Sequence, residues 1–306
     1  MMRCFNSLRQ LSPLLLGLLL AAPVQAQLPE RLRDYPLGTP GAAGEAVAPM
    51  FNGWVKNEDG STTMVFGFAN QNREAIVDVP LGPNNKLEPE QFQGAQPTHF
   101  PVYNRGGFVG IQERGAFAVN VPADMAGTEV IWTLASGGKT YSIPGRATSP
   151  AYEMSNAKAA AGSLRPAIRL SEDGEESTDS VGIYAEPQRV SVGEPVTLSA
   201  LIQDRGERYD YEGVEPYYAP GSGWVLHQGP AIPEIETPEV SGKERASEDP
   251  NSNMVNSWYE VATQVTFPQP GEYVIRLRAD NFQATDSKFD NVCCWSNAYF
   301  PVTVNP

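Results

Sequence analysis

One stretch decides the fold of this chain: Thr266-Phe-Pro-Gln-Pro-Gly-Glu-Tyr-Val-Ile-Arg-Leu-Arg-Ala-Asp280. Its Pro-Gly pair predicts a turn that opens a strand. Apolar side chains then share one face at a period of two residues: Tyr273, Ile275, Leu277 and Ala279. A Tyr directly after such a turn is typical of the tyrosine corner of a sandwich domain. The stretch therefore predicts an all-β, antiparallel sandwich in this half of the chain.

The sequence before this stretch carries matching strand and turn signals. Gly193-Glu194-Pro195 predicts a turn before an alternating strand at Val196–Ile202, and Trp224 lies in another predicted strand. With Pro270-Gly271-Glu272-Tyr273, these motifs make residues 189–304 resemble the PKD-like and related immunoglobulin-like modules of exported bacterial proteins. The resemblance implies that 196–202 is strand B, that Trp224 is the core aromatic of strand C and that 271–279 is strand F. It implies no inter-sheet disulfide, because Ile275 stands where antibody-type domains carry Cys.

Residues 47–150 predict another sandwich. The turn at 57–60 joins two apolar strands into a hairpin, and Gly137-Gly138 closes a second hairpin. Further strands are predicted at 75–79, 108–111 and 116–121, and Trp132 lies in the strand before the second hairpin turn. This density of short strands is typical of an immunoglobulin-like sandwich, so we expect two of them in tandem.

The ends and the middle of the chain complete the predicted organisation. Residues 1–26 have the pattern of a cleaved signal peptide, because Arg3 and Arg9 precede an apolar run and Val24-Gln25-Ala26 offers a small-residue cleavage site. A flexible lead-in at 27–46 leads to the first sandwich, and a linker with an acidic loop at 151–180 leads to the second at 181–306. The apolar run is shorter than the roughly 20 residues that a membrane span needs. We expect an exported protein of the periplasm or cell exterior.

The charge of the chain restricts its partners. The formal net charge is −14, which becomes −16 when Arg3 and Arg9 leave with the signal peptide. Nucleic acids and anionic lipids are bound mainly through Lys and Arg, so this excess of carboxylates disfavours both. Carbohydrate and protein remain as the expected partner classes.

Cys293 and Cys294 are the only cysteines in the sequence after the signal peptide, and they are adjacent. Neighbouring Cα atoms lie about 3.8 Å apart, below the usual span of a disulfide. Export to an oxidising compartment nevertheless favours oxidation. We predict a vicinal disulfide with a structural role, and keep two free thiols or a metal or redox site as alternatives.

Carboxylates concentrate in the predicted B–C and F–G loops of the second sandwich: Asp204, Asp210, Asp280, Asp286 and Asp290. These loops leave an immunoglobulin-like sandwich at the same end. Hard cations such as Ca²⁺ take six to eight oxygen ligands, so the five residues form a candidate calcium site. The spacing of an EF-hand is missing, and Arg205, Arg208 and Lys288 offer local ion pairs as the alternative. No other cofactor is predicted.

Aromatic residues form a candidate binding surface near the same loops: Tyr209, Tyr211, Tyr217, Tyr218 and Trp258. Aromatic faces beside carboxylates and amides bind sugar rings or peptide segments, and long loops on rigid sandwiches often carry binding. The same rings can instead cover the end of the sandwich as a small satellite core.

Catalytic motifs are missing from the sequence. It holds two histidines, His99 and His227, and lacks a nucleophile elbow, a zinc-protease motif and a phosphate loop. His227 follows Leu226 in a predicted strand, which favours a structural imidazole. We therefore expect a non-catalytic binding or structural module that recognises carbohydrate or protein through its second sandwich. The alternative is a small secreted hydrolase that uses a carboxylate pair.

Overall fold

Antiparallel β-sheet dominates the structure. This computed structural model describes residues 41–103, 111–154, 162, 164–206, 219–242, 244–245, 256–281 and 295–306. Short 3-10 turns occur at Glu90–Phe92, Ala123–Met125 and Pro150–Tyr152, and Gly242, Glu244 and Arg245 have helical backbone. Within these described ranges, no helix combines the length and the apolar character needed to cross a membrane.

The N-terminal half forms two three-stranded sheets. Its strands are β1 (Val47–Lys56), β2 (Thr62–Asn70), β3 (Val77–Asp78), β4 (Asn85–Glu88), β5 (His99–Phe100), β6 (Gln112–Val121), β7 (Val130–Ser136) and β8 (Lys139–Gly145). Hydrogen bonds give the order β1-β2-β6 in one sheet and β4-β7-β8 in the other, while β3 pairs with β5. If the six sheet strands are lettered A, B, C, E, F and G along the chain, the order is A-B-E opposite C-F-G. This order resembles that of immunoglobulin-like domains.

Turn residues fix both predicted hairpins of this half. Gly60, at the end of the β1–β2 turn, has a φ of +84°, and Gly137 and Gly138 have φ of +55° and +71°. Positive φ at both central residues is the requirement of a two-residue hairpin turn. The apolar faces of these strands meet around Trp132, which is fully buried and packs edge-on against Phe117 at a centroid distance of 5.0 Å.

The C-terminal half repeats the arrangement with additional short strands. They are β9 (Ala167–Arg169), β10 (Ile183–Tyr184), β11 (Gln188–Ser191), β12 (Pro195–Gln203), β13 (Gly221–Gln228), β14 (Glu234–Ile235), β15 (Glu239–Val240), β16 (Trp258–Thr266), β17 (Gly271–Asp280) and β18 (Trp295–Asn305). One sheet has the order β14-β16-β12-β9 and the other β15-β13-β17-β18-β10, with β11 also parallel to β18. Strands B and E (β12, β16) thus pair in one sheet, and C, F and G (β13, β17, β18) in the other. The predicted all-β architecture is confirmed, and both halves resemble immunoglobulin-like domains.

The predicted tyrosine corner is present. The Tyr273 hydroxyl donates a hydrogen bond to the Gln269 carbonyl at 3.0 Å, four residues upstream. The alternation predicted for β17 places Tyr273 and Ile275 in the core of the C-terminal half. Trp224 of β13 is buried in the same core and lies 5.1 Å from the ring of Phe300. A separate apolar core fills the N-terminal half.

Residues 164–180 of the segment predicted as a linker pack onto the C-terminal half. Its strand β9 pairs with β12, and Ile168 exchanges two backbone hydrogen bonds with Ser177, at 2.8 and 2.9 Å. The Asp179 carbonyl also accepts a hydrogen bond from the Asn297 amide at 3.1 Å. The described residues belong to one compact unit. The domain boundaries at 150 and 181 stay predictions.

Candidate functional site

The outer face of β17 carries charged side chains that the period of two directs away from the core. Arg276, Arg278 and Asp280 alternate with Ile275, Leu277 and Ala279. In a lone sandwich such a face meets water, yet here all three charged residues are buried. Glu113 of β6 supplies the matching carboxylate and is itself fully buried. We call Glu113, Arg276, Arg278 and Asp280 the seam.

The seam consists of short ion pairs. Glu113 Oε1 accepts a hydrogen bond from Arg276 at 2.7 Å and another from Arg278 at 3.1 Å. Arg278 Nε lies 3.4 Å from Asp280 Oδ2. Burial lowers the pKa of Arg278, but the nearby carboxylates of Glu113 and Asp280 raise it more, so the net shift is upward. Arg278 therefore stays charged, and the ion pairs connect β6 of the N-terminal half to β17 of the C-terminal half.

Backbone groups of the N-terminal half complete the seam. Arg276 Nη1 also donates to the Ala116 carbonyl. Gly115 has a φ of +59°, and its carbonyl accepts a hydrogen bond from Asn297 Nδ2 at 3.1 Å. A Cβ atom at Gly115 would lie 1.7 Å from Nε1 of Trp295, so only glycine permits this approach. The two halves therefore contact each other through backbone as well as side chains.

His227 occupies a structural position beside the seam. Its Nε2 lies 3.0 Å from the Ala95 carbonyl, and the His227 carbonyl accepts a hydrogen bond from the Thr98 amide at 2.8 Å. Burial, together with the positive charge of Arg276, lowers the pKa of His227 to about 3. The imidazole is therefore neutral near pH 7, and Nε2 carries the proton donated to Ala95. This agrees with the structural role that the sequence favoured.

His99 and His227 both line a small cleft between the halves. Arg276 and Tyr103 also line it, and the other walls are apolar. His99 Nδ1 lies 2.7 Å from Asp78 Oδ1, a pairing that fixes the ring orientation. The cleft has room for about one water molecule. It is therefore too small for an organic substrate.

One end of the C-terminal half gathers the strand ends from which its loops leave. The strand register pairs Gln203 with Trp258, Gly221 with Asp280, and Asp280 with Trp295. The B–C and F–G connections, and the one that precedes β16, therefore start or finish at this end. We call it the loop end.

Trp258 is the predicted binding residue that lies within the described ranges. It is partly exposed, and the Arg169 guanidinium lies 4.3 Å from the centroid of its ring. Arg169 is in turn held by Glu176, with Nη2 and Oε2 3.1 Å apart. Cation–π contacts of this kind orient an aromatic ring. Tyr259, the next residue, is buried in the core instead.

The candidate calcium ligands Asp204 and Asp280 have other partners. Asp204 Oδ1 accepts a hydrogen bond from the Gly206 amide at 2.8 Å, and its carbonyl accepts one from the Asn256 amide at 2.9 Å. Asp280 belongs to the seam. Among the described residues, no three His, Cys, Asp or Glu side chains are grouped so that they could hold a metal ion.

The other predicted site residues lie outside the described ranges. They are Tyr209, Tyr211, Tyr217 and Tyr218 of the aromatic surface, Asp210, Asp286 and Asp290 of the calcium site, and the Cys293–Cys294 pair. Their proposed roles stay predictions.

Comparisons with known proteins give weak similarities. No protein-family model and no curated protein sequence matches the chain. A CARDB domain from Pyrococcus furiosus, solved with di-metal ions, is 15% identical with a TM-score of 0.23 and covers 40% of this chain and 90% of its own. Domains 4 and 5 of the S-layer protein SbsC are 12% identical with a TM-score of 0.22 and cover 61% of this chain and 69% of their own. The D0–D1 domain of intimin is 8% identical with a TM-score of 0.23 and covers 83% of this chain and 97% of its own. Scores this low assign neither a family nor a function.

Proposed function

We propose that the protein is an exported, non-catalytic module that binds a carbohydrate through the loop end of its C-terminal half. The observation that carries this proposal is the register that places the ends of β12, β13, β16, β17 and β18 at the loop end, where Trp258 begins β16. Loops that project from one end of a rigid sandwich are a common place for binding residues. Trp258 is partly exposed at that end; Arg169 lies over one face of its ring, and a sugar would stack on the other face.

The seam indicates how the N-terminal half contributes to this function. The carboxylate and guanidinium groups of the seam are buried and paired with one another. Buried, hydrogen-bonded ion pairs of this kind fix relative position and orientation. We therefore propose that the N-terminal half acts as a rigid base for the binding end. The predicted aromatic surface of Tyr209, Tyr211, Tyr217, Tyr218 and Trp258 would then supply the contacts.

A glycan array tests this function. The purified mature protein is expected to bind a subset of glycans, and Trp258→Ala is expected to lose at least tenfold in affinity. The matched control is Tyr152→Ala, which removes an exposed aromatic ring from the N-terminal half and should leave binding unchanged. Equal losses in both variants, or no glycan bound, would contradict the proposal. If the protein instead captures one defined protein from envelope extract, and Trp258→Ala loses that capture, the ligand is a protein and not a carbohydrate.

A further inference from the structure

Arg165 is a buried cation just before β9 at the loop end. The residue is 6% exposed, and its Nη2 atom has no hydrogen-bond acceptor among the described residues. Buried guanidinium groups are normally paired with carboxylates or carbonyls, because an unpaired buried charge is costly. A side chain of this kind therefore indicates that an anion belongs beside it.

A second guanidinium lies next to Arg165. Arg205 Nε donates a hydrogen bond to the Arg165 carbonyl at 2.9 Å, which holds the two residues side by side. Burial lowers the pKa of Arg165; Asp179 opposes that shift, and the charge of Arg205 adds to it. Burial also lowers the pKa of Arg205. The two positive charges thus repel each other in a partly dry environment, where a shared anion would stabilise both.

The acids that interact with this pair are bound elsewhere. Asp179 Oδ1 accepts a hydrogen bond from the Gly182 amide at 2.9 Å, and Glu176 forms its ion pair with Arg169. These three arginines and two acids have a net charge of +1, in a chain whose formal net charge is −14. The positive charge is limited to these groups, because the other charged residues of 171–180 are acids.

We propose that Arg165 and Arg205 form a subsite for one carboxylate group of a sugar acid. Guanidinium groups match carboxylates in geometry and charge. The excess negative charge of the chain disfavours polyanions, so a single carboxylate fits better than an acidic polymer. Ala167 and Trp258 both pair with Gln203, on either side of β12, which places their Cα atoms about 10 Å apart, with Arg165 two residues before Ala167. This inference rests on the proposed carbohydrate function and assigns the acidic end of the ligand.

Isothermal titration with D-glucuronate and D-glucose at low salt tests the subsite. Wild-type protein is expected to bind glucuronate at least tenfold more tightly than glucose, and Arg165→Met is expected to abolish that preference. Arg205→Gln should also lower the affinity for glucuronate. This second variant keeps the test valid if one of the two does not fold. Arg146→Met is the matched control, because Arg146 is exposed and pairs with Glu129 in the N-terminal half.

Thermal unfolding supplies a second readout that does not depend on binding. Because Arg165 Nη2 is buried and lacks an acceptor among the described residues, ligand-free Arg165→Met is expected to melt about 2 to 4 °C higher than the wild type. A lower melting temperature would show that Arg165 is already paired within the protein and would overturn the subsite. Equal binding of both sugars, lost with Trp258→Ala, would also overturn it while leaving the carbohydrate function intact. Binding of neither sugar, with a negative glycan array, would overturn both.

Discussion

The Arg276 guanidinium of β17 donates a hydrogen bond to the Glu113 carboxylate of β6 at 2.7 Å, across 163 positions of sequence. Both side chains are buried, and a second arginine, Arg278, binds the same carboxylate. The two apolar cores are separate, but this pairing connects a strand of one with a strand of the other. Glu113 is the residue on which the seam depends, because two buried arginines bind its one carboxylate.

Replacing Glu113 by Gln should destabilise the protein by about 3 to 5 kcal/mol, because it leaves two buried arginines without their shared carboxylate. Urea unfolding followed by circular dichroism measures this change. Glu129→Gln is the control, since Glu129 pairs with Arg146 near the surface and should cost at most about 1 kcal/mol. Similar losses in the two variants would contradict the assigned role of Glu113.

Gly115→Ala should also weaken the contact between the halves. The added Cβ meets the Trp295 indole and the backbone has a positive φ, so the variant combines a clash with left-handed strain. Gly138→Ala has the same kind of φ and no heavy atom within 4 Å of the added Cβ, so it shows the strain alone. Gly115→Ala is expected to melt at the lower temperature. The reverse order would mean that Trp295 does not pack on Gly115.

Tyr273→Phe tests the tyrosine corner. The change removes only the hydroxyl that binds the Gln269 carbonyl, and it should cost about 0.5 to 1.5 kcal/mol. Tyr184→Phe removes the hydroxyl of a side chain that is 57% exposed and should be close to neutral. Chemical denaturation of both variants gives the comparison, and a neutral Tyr273→Phe would show that the hydrogen bond contributes nothing.

Acid should destabilise the protein partly through His227. Its pKa is about 3 in the folded state, against about 6.5 for an unperturbed histidine. Between these values the unfolded chain binds one more proton than the folded protein, so stability falls as the pH decreases from about 6.5 toward 3. The slope from this group approaches about 1.4 kcal/mol per pH unit. His227→Gln should remove that part of the slope, and an identical pH profile in the variant would refute a buried neutral imidazole.

The sequence predicted which residues form strands and core, but it did not predict which residues of the other half bury the outer face of β17. Tyr273 and Ile275 were assigned to the core because alternation and turn residues are local signals, and the structure confirms them. The sequence interpretation assigned no role to Arg276 and Arg278. Their burial depends on Glu113, a partner more than 160 residues away, and no local pattern encodes that contact.

Long-range pairing also limits what the sequence predicts about the loop end. Composition pointed to acids and aromatics in the loops, and Trp258 does lie at the loop end. The basic pair Arg165 and Arg205 was missed, because the two residues are 40 positions apart and meet only through the pairing of β9 with β12. Pairing across strands, rather than spacing along the chain, brings such residues together.

A double-mutant cycle between Glu113 and Arg276 tests most directly whether the charged face of β17 joins the two halves. The free energy of unfolding is measured for the wild type, Glu113→Gln, Arg276→Met and the double variant. We predict a coupling energy of at least about 1.5 kcal/mol, because each single change removes this buried ion pair while the other charged group stays buried. Losses that add to within about 0.5 kcal/mol would contradict the seam.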